Sequence, residues 1–228
     1  MQDVLTFPFR HGGARKNAGR KRGKGRRSVE HRRRESIPKN APVHVTLRVS
    51  RSVGNLRSKR RFQPIKKALR DGAERFECRL VHFSVQKNHL HLLVEPRDRR
   101  SLMRAMKGLQ VRLARRLNTA LRRRGQVFSD RYHAHVLRTP REARHAIAYV
   151  LLNARKHAAQ GGHVLPKRWI DPYSSARWFE GFENAAAVAT DEVRIGGPPG
   201  VWLLQKGWRH AGPIFVEEVP GGRMRGRR

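Results

Sequence analysis

The 228-residue chain carries 52 Lys+Arg against 17 Asp+Glu, a formal net charge of +35, whose self-repulsion destabilises a compact chain unless a polyanion such as nucleic acid offsets it. No run of about 18 apolar residues offers a transmembrane helix, and the opening Met1-Gln2-Asp3-Val4-Leu5 lacks the basic-then-apolar order of a secretory signal. The single cysteine, Cys78, excludes an internal disulfide and a cysteine-based zinc site, so a reducing, cytoplasmic compartment is expected.

Residues 1–40 hold 13 Lys+Arg and 3 Asp+Glu and are nearly empty of apolar residues after Phe9. This composition predicts a disordered basic arm. Order begins near Pro42, where Val43, Val45, Leu47 and Val49 alternate with His44, Thr46 and Arg48, the pattern of a half-buried strand. Residues 63–75 read as a short helix, and residues 77–86 and 89–95 as two strands joined by a tight turn at Lys87-Asn88. A long helix over 101–124 carries one apolar stripe, Leu102, Met106, Leu109, Leu113, Leu117 and Leu121, and ends at Gly125. Much of its remaining surface is basic: Arg104, Lys107, Arg112, Arg115 and Arg116. A fourth strand follows over 131–138. Thr139-Pro140-Arg141-Glu142 then marks a helix start by capping box and first-turn proline, with the helix running to about residue 159. The order β-α-β-β-α-β-α predicts an α+β, ferredoxin-like fold. Its four-stranded antiparallel sheet has two helices on one face, and the other face is left for a site, with the last helix at that side or edge. Residues 41–180 are the expected domain, and 181–228 a tail that docks in part through Val201-Trp202-Leu203-Leu204.

Alternation on the third strand points His89 and His91 one way and Leu90, Leu92 and Val94 the other. Two imidazoles about 6.6–7 Å apart along a strand can converge on one ion. Such a pair suits Mn, Zn and related ions, and tolerates Mg when carboxamide and phosphate oxygens complete the shell. A His-x-His strand equally describes two partly exposed histidines that bind nothing. On the final helix, at about 100° per residue, Asn153 lies about 40° from Tyr149. Tyr149 thus shares a polar face with His145, Asn153 and Lys156, away from Ile147, Val150 and Leu151. A half-buried tyrosine with a solvated hydroxyl fits the same pattern.

The strand Asn88-His89-Leu90-His91-Leu92-Leu93-Val94 resembles the His-hydrophobe-His strand of the HUH endonuclease superfamily. Residues 130–139, DRYHAHVLRT, followed by Tyr149-Val150-Leu151-Leu152-Asn153, resemble its single-tyrosine branch, the insertion-sequence-200-like transposases. The nearest likeness is to the REP-associated tyrosine transposases of bacteria, and it covers residues 42–180. The resemblance implies His89 and His91 as ligands of a divalent metal, Mg or Mn. It implies Tyr149 as the nucleophile that forms a 5′-phosphotyrosine link, and Asn153 as a third polar ligand. The family commonly continues Asn-Pro-Val where this chain has Asn153-Ala154-Arg155, so a helix that runs straighter beyond Asn153 is expected. The implied substrate is single-stranded DNA, often a hairpin, handled near the nucleoid by a monomer or a homodimer.

Other assignments compete. His133-x-His135 is a second strand pair, Glu95, Asp98 and Asp130 are nearby acids, and Tyr132 is a rival nucleophile that more naturally stacks on a base or packs. The helix cations Arg104, Lys107, Arg112, Arg115 and Arg116, with Arg131, Tyr132 and Lys156, are the expected DNA contacts, and Phe128 and Trp169 are further candidates for stacking. No GxxxxGK[ST] loop is present, in keeping with chemistry that needs no nucleotide. Two other functions fit the sequence: a replication-initiator or relaxase-type nickase on the same fold, and a non-enzymatic basic nucleic-acid-binding protein.

Overall fold

The chain folds, in order, as β1 (Val43–Arg48), α1 (Lys59–Arg70), β2 (Glu74–Arg75), β3 (Cys78–Val85), β4 (His89–Pro96), α2 (Arg99–Ala120), β5 (His133–Val136), α3 (Pro140–Leu151), α4 (Asn153–Gln160) and α5 (Trp202–Gln205). The computed structural model describes residues 36–39, 41–184 and 192–221. These belong to the unit Arg34–Arg228. The expected basic arm, apart from residues 36–39, lies outside the described residues.

The sheet order is β2-β3-β4-β1-β5. Every pairing is antiparallel, with Thr46 opposite His91 and His44 opposite His135. The order β3-β4-β1-β5, with α1 and α2 as the crossovers, is the ferredoxin-like arrangement, and the two-residue β2 extends one edge. The alternation expected from sequence sets the first core: Val43, Val45 and Leu47 from β1 and Leu90, Leu92 and Val94 from β4 meet Ile65 and Leu69 of α1 and the α2 stripe. Each such side chain contributes about 1.5–3 kcal/mol by leaving water. A bulge between Leu80 and His82 resets β3, so that Leu80, Phe83 and Val85 face this core while Val81 turns to the opposite side.

Several boundaries differ from expectation. Helix α1 runs from Lys59 to Arg70 rather than over 63–75, and it carries Pro64 inside, pinned by the burial of Ile65 and Leu69. The long helix α2 ends at Ala120 rather than at Gly125, because the backbone already turns left-handed at Arg122, with φ 51°.

The second sheet face is not open, as expected, but covered. Ala143, Ile147, Val150 and Leu151 of α3 pack on Val81 and Leu93, and residues beyond 180 close over them: Leu204, Trp208, Ile214 and Val216 complete a second core. Helix α3 is therefore apolar around most of its circumference, as a buried helix is. Between Ala143 and Leu151 only His145 and, in part, Tyr149 reach solvent, and the one other polar residue, Arg144, is buried. The start of α3 is as read from sequence, with Thr139 Oγ1 accepting from the Glu142 amide and Glu142 accepting from the Thr139 amide at 3.2 Å each. The expected straight run through Asn153 is absent. The helix breaks at Leu152 (φ −110°, ψ 15°), and α4 starts afresh at Asn153. Arg155 fixes α4 by directing its buried guanidinium Nη2 to the carbonyls of Pro166, Lys167 and Trp169 at 2.6–3.0 Å.

Candidate active site

Strand β4 sends His89 and His91 to the face opposite Leu90 and Leu92, and their Nε2 atoms lie 2.9 Å apart. Strand β1 backs the second of them. His91 Nδ1 is 3.1 Å from His44 Nε2 and 3.2 Å from Thr46 Oγ1. A proton on Nδ1 donated to either partner leaves the Nε2 lone pair facing His89, the tautomer a metal ligand needs. His89 Nδ1 is held in turn by Asn88 Oδ1 at 2.8 Å. The sequence alone does not single out His44 or Thr46. Their place on the polar face of β1 was legible, but the register that sets Thr46 opposite His91 was not.

Helix α3 delivers the phenol to the same place. The Tyr149 ring lies edge-on to His91 at 5.0 Å between centroids and to His44 at 5.8 Å. Lys156 of α4 puts its Nζ 4.8 Å from the centre of the same ring, and His157 stands 6.2 Å from the His89 ring. Burial is the main reason that the imidazoles stay neutral: His91 is pushed down to about 2 by desolvation and by its histidine neighbours and Lys156, and His89 and His44 to about 4. Neutral imidazoles keep a lone pair for a cation.

These donors suit the divalent ion that the family resemblance implies. Two neutral imidazole nitrogens converge, and Asn153 is fully buried with neither amide atom hydrogen-bonded within the described structure, an orphaned group of the kind an ion or water satisfies. Among the described residues no group of three His, Cys, Asp or Glu is placed to hold a metal. The two imidazoles of β4 would be the nitrogen donors to such an ion, with its other positions open to oxygen ligands.

Residues 39–150 match the family model "Transposase IS200 like". This domain belongs to the IS200-like transposase family. Among solved structures, the chain is similar to a REP-associated tyrosine transposase bound to a REP hairpin, at 17% identity and TM-score 0.49, over 75% of this chain and 99% of that one. It is also similar to a protein assigned as a transposase from Deinococcus radiodurans R1, at 19% identity and TM-score 0.38, over 63% of this chain and 100% of that one. No curated protein matches the sequence.

The remaining residues expected at the transposase site divide by layer. Arg104, Lys107 and Arg115 are exposed and Arg112 and Arg116 half-buried on α2, the layer behind the sheet, so they are not brought to Tyr149. Arg116 is paired with Asp71, and Arg104 stacks on Phe76. Arg131 is exposed just before β5. Tyr132 and Phe128 are buried in the first core, so of the two readings of Tyr132 packing holds, and the stacking of Phe128 on a base is corrected to packing. His133 and His135 are exposed on β5, two strands from β4 and thus roughly 10 Å away across the sheet. The three acids are occupied structurally. Asp98 caps α2 through the Ser101 amide, Asp130 accepts from the Arg131 amide, and Glu95 accepts from the amides of Gly200 and Val201. Trp169, a candidate for stacking, lines a cleft beside His89 with Arg57, Lys87 and His157. Among the described residues no helix is long and apolar enough to cross a membrane.

Proposed function

We propose that this chain nicks and rejoins single-stranded DNA through a covalent 5′-phosphotyrosine on Tyr149. The observation that carries the reading is the meeting of the Tyr149 ring with His91, 5.0 Å away, whose Nε2 lies 2.9 Å from that of His89. In the forward step the phenolic oxygen forms a bond to phosphorus and the bond from phosphorus to the 3′ oxygen breaks. The phenol gives up its proton and the 3′ oxygen takes one up, leaving a 3′ hydroxyl. A 3′ hydroxyl from a second strand reverses the step, so joining needs no nucleotide cofactor.

Free tyrosine titrates near 10 and is a weak nucleophile at neutral pH. The Lys156 ammonium beside its ring favours the negative charge that develops on phenol and phosphate. A divalent ion, Mg or Mn, held by His89 and His91 with Asn153 as a third donor, would polarise the phosphate as a Lewis acid. Thr46 and His44 hold the His91 ring at the required angle. The net charge of +35 and the IS200-like domain support DNA as the polyanion, and a hairpin-bearing single strand is the substrate class we assign.

The test is incubation of labelled hairpin oligonucleotides with the full chain and Mg²⁺ or Mn²⁺, read on a denaturing gel. The expected result is a protein–DNA adduct that disappears in Tyr149→Phe. In His91→Ala it should fall on the order of 100-fold or more, since even the hydrogen-bond partners of a ligand cost about 10–100-fold. Both variants should still bind DNA. An undiminished adduct in Tyr149→Phe overturns the assignment.

A further inference from the structure

A cavity of about 680 Å³ opens on the His44 side of Tyr149, within the size range of small-ligand sites. Its polar lining includes three imidazoles, His44, His135 and His145, and the Glu142 carboxylate, beside Tyr149 and the paired Arg144 and Glu218; its apolar lining is Leu137, Ala146 and Ala148, and Pro220 and Gly221 form one wall. That wall is fastened by Arg144, which donates to both carboxylate oxygens of Glu218 at 2.5 and 2.6 Å and to the Pro213 carbonyl.

We infer that this cavity seats a nucleobase of the substrate strand, belonging to one of the two nucleotides joined at the scissile phosphate, and that it reads the identity of that base. The inference rests on the proposed nicking reaction, because Tyr149 is a wall shared by the cavity and the site of attack. The lining selects a base over the other parts of a nucleotide. A phosphate is disfavoured, because Glu142 brings negative charge and the Arg144 guanidinium is already engaged by Glu218. Glu142 stays ionised, its carboxyl held below the usual range by the Arg138 and Thr139 amides. A flat group with an apolar face and donors and acceptors on its edge matches an apolar lining beside imidazoles and a carboxylate, the environment in which enzymes hold an unstacked base. The C-terminal segment thereby gains a role in the site, as a wall of the base pocket.

His135 and His145 are exposed and belong to neither core, so His135→Ala/His145→Ala should fold. Adduct formation is measured for the native and double-variant chains on hairpin oligonucleotides carrying each of the four bases, or an abasic spacer, on either side of the cut. In parallel, binding of the same series is measured with Tyr149→Phe, with and without the two histidine substitutions. At one of the two positions the native chain should favour one base about tenfold over the others, the scale of one well-made base contact. It should lose at least as much on the spacer. The double variant should still form adduct, with its preference reduced to about twofold or less, and the binding series should follow the same order. If adduct forms but base identity at both positions is without effect, or the double variant keeps the full preference, the base pocket is refuted while the nicking reaction stands. If no adduct forms but Tyr149→Phe binds with a base preference that the histidine substitutions erase, the nicking reaction fails and the pocket stands.

Discussion

His82 and His91 show how strongly one residue's surroundings set its chemistry in this chain. His82 is buried beside Phe179, with Nδ1 3.3 Å from Ser175 Oγ, and desolvation pushes it down to about 3. His91 lies lower still, and His44 and His89 at about 4. All four are neutral in the folded chain at pH 7, whereas in the unfolded chain they titrate near 6.5. Between roughly pH 4 and 6.5 the unfolded state thus binds more protons, and stability rises with pH through that window. The full stability is present above it and is lost progressively as pH falls. Denaturant midpoints measured from pH 7 down to pH 4.5 should decline. In His82→Asn the slope should flatten by up to about 1.4 kcal/mol per pH unit, the share of one group. A midpoint that does not move with pH would show that these imidazoles ionise in the folded state.

At the scale of elements, what was legible was local. The capping box of Thr139 and Glu142 closes within four residues, and the alternation of His89 to Val94 states which side chains share a face, so both could be read along the chain. The break at Leu152 could not, because neither proline nor glycine marks it; the anchoring of Arg155 on carbonyls 10–14 residues later holds the new helix direction. The support of His91 by His44 and Thr46 depends on a register across 45–47 residues. The second core was hidden for a related reason: Leu204, Trp208, Ile214 and Val216 follow no period, and only the fold gathers them on α3. Arg144 makes that attachment testable. It lies inside α3 with 4% of its side chain exposed, and Glu218 neutralises it. Glu218→Ala leaves a buried guanidinium unpaired and should cost roughly 3–5 kcal/mol in a denaturant titration. Arg144→Met/Glu218→Leu, which removes both charges, should recover most of that loss. Equal stability of Glu218→Ala and the native chain would mean that the C-terminal segment is not held by this pair.

Across the whole molecule, the sheet separates two kinds of basic residue. Lys156 stands over Tyr149 on one face, while Arg104, Lys107 and Arg115 project from α2 on the layer behind the other. If a DNA strand passes the tyrosine and its hairpin continues around to α2, the two groups contribute differently. Each phosphate neutralised by a cation adds about 0.7 to the slope of log K against log salt for single-stranded DNA, and about 0.9 for duplex. Replacing Arg104, Lys107 and Arg115 together by Gln should lower that slope by about 2 to 3 and weaken binding. Adduct formation at saturating protein should stay within about twofold, because no reacting atom is touched. Lys156→Gln should lower the slope by about 1 and, on the proposed reaction, also slow adduct formation at saturation, because it removes charge beside the Tyr149 ring. Filter-binding or fluorescence titrations at several salt concentrations, paired with single-turnover adduct assays, separate the two effects. An α2 variant with an unchanged slope would show that the rear layer carries no phosphate, and the strand would then be confined to the face that bears Tyr149.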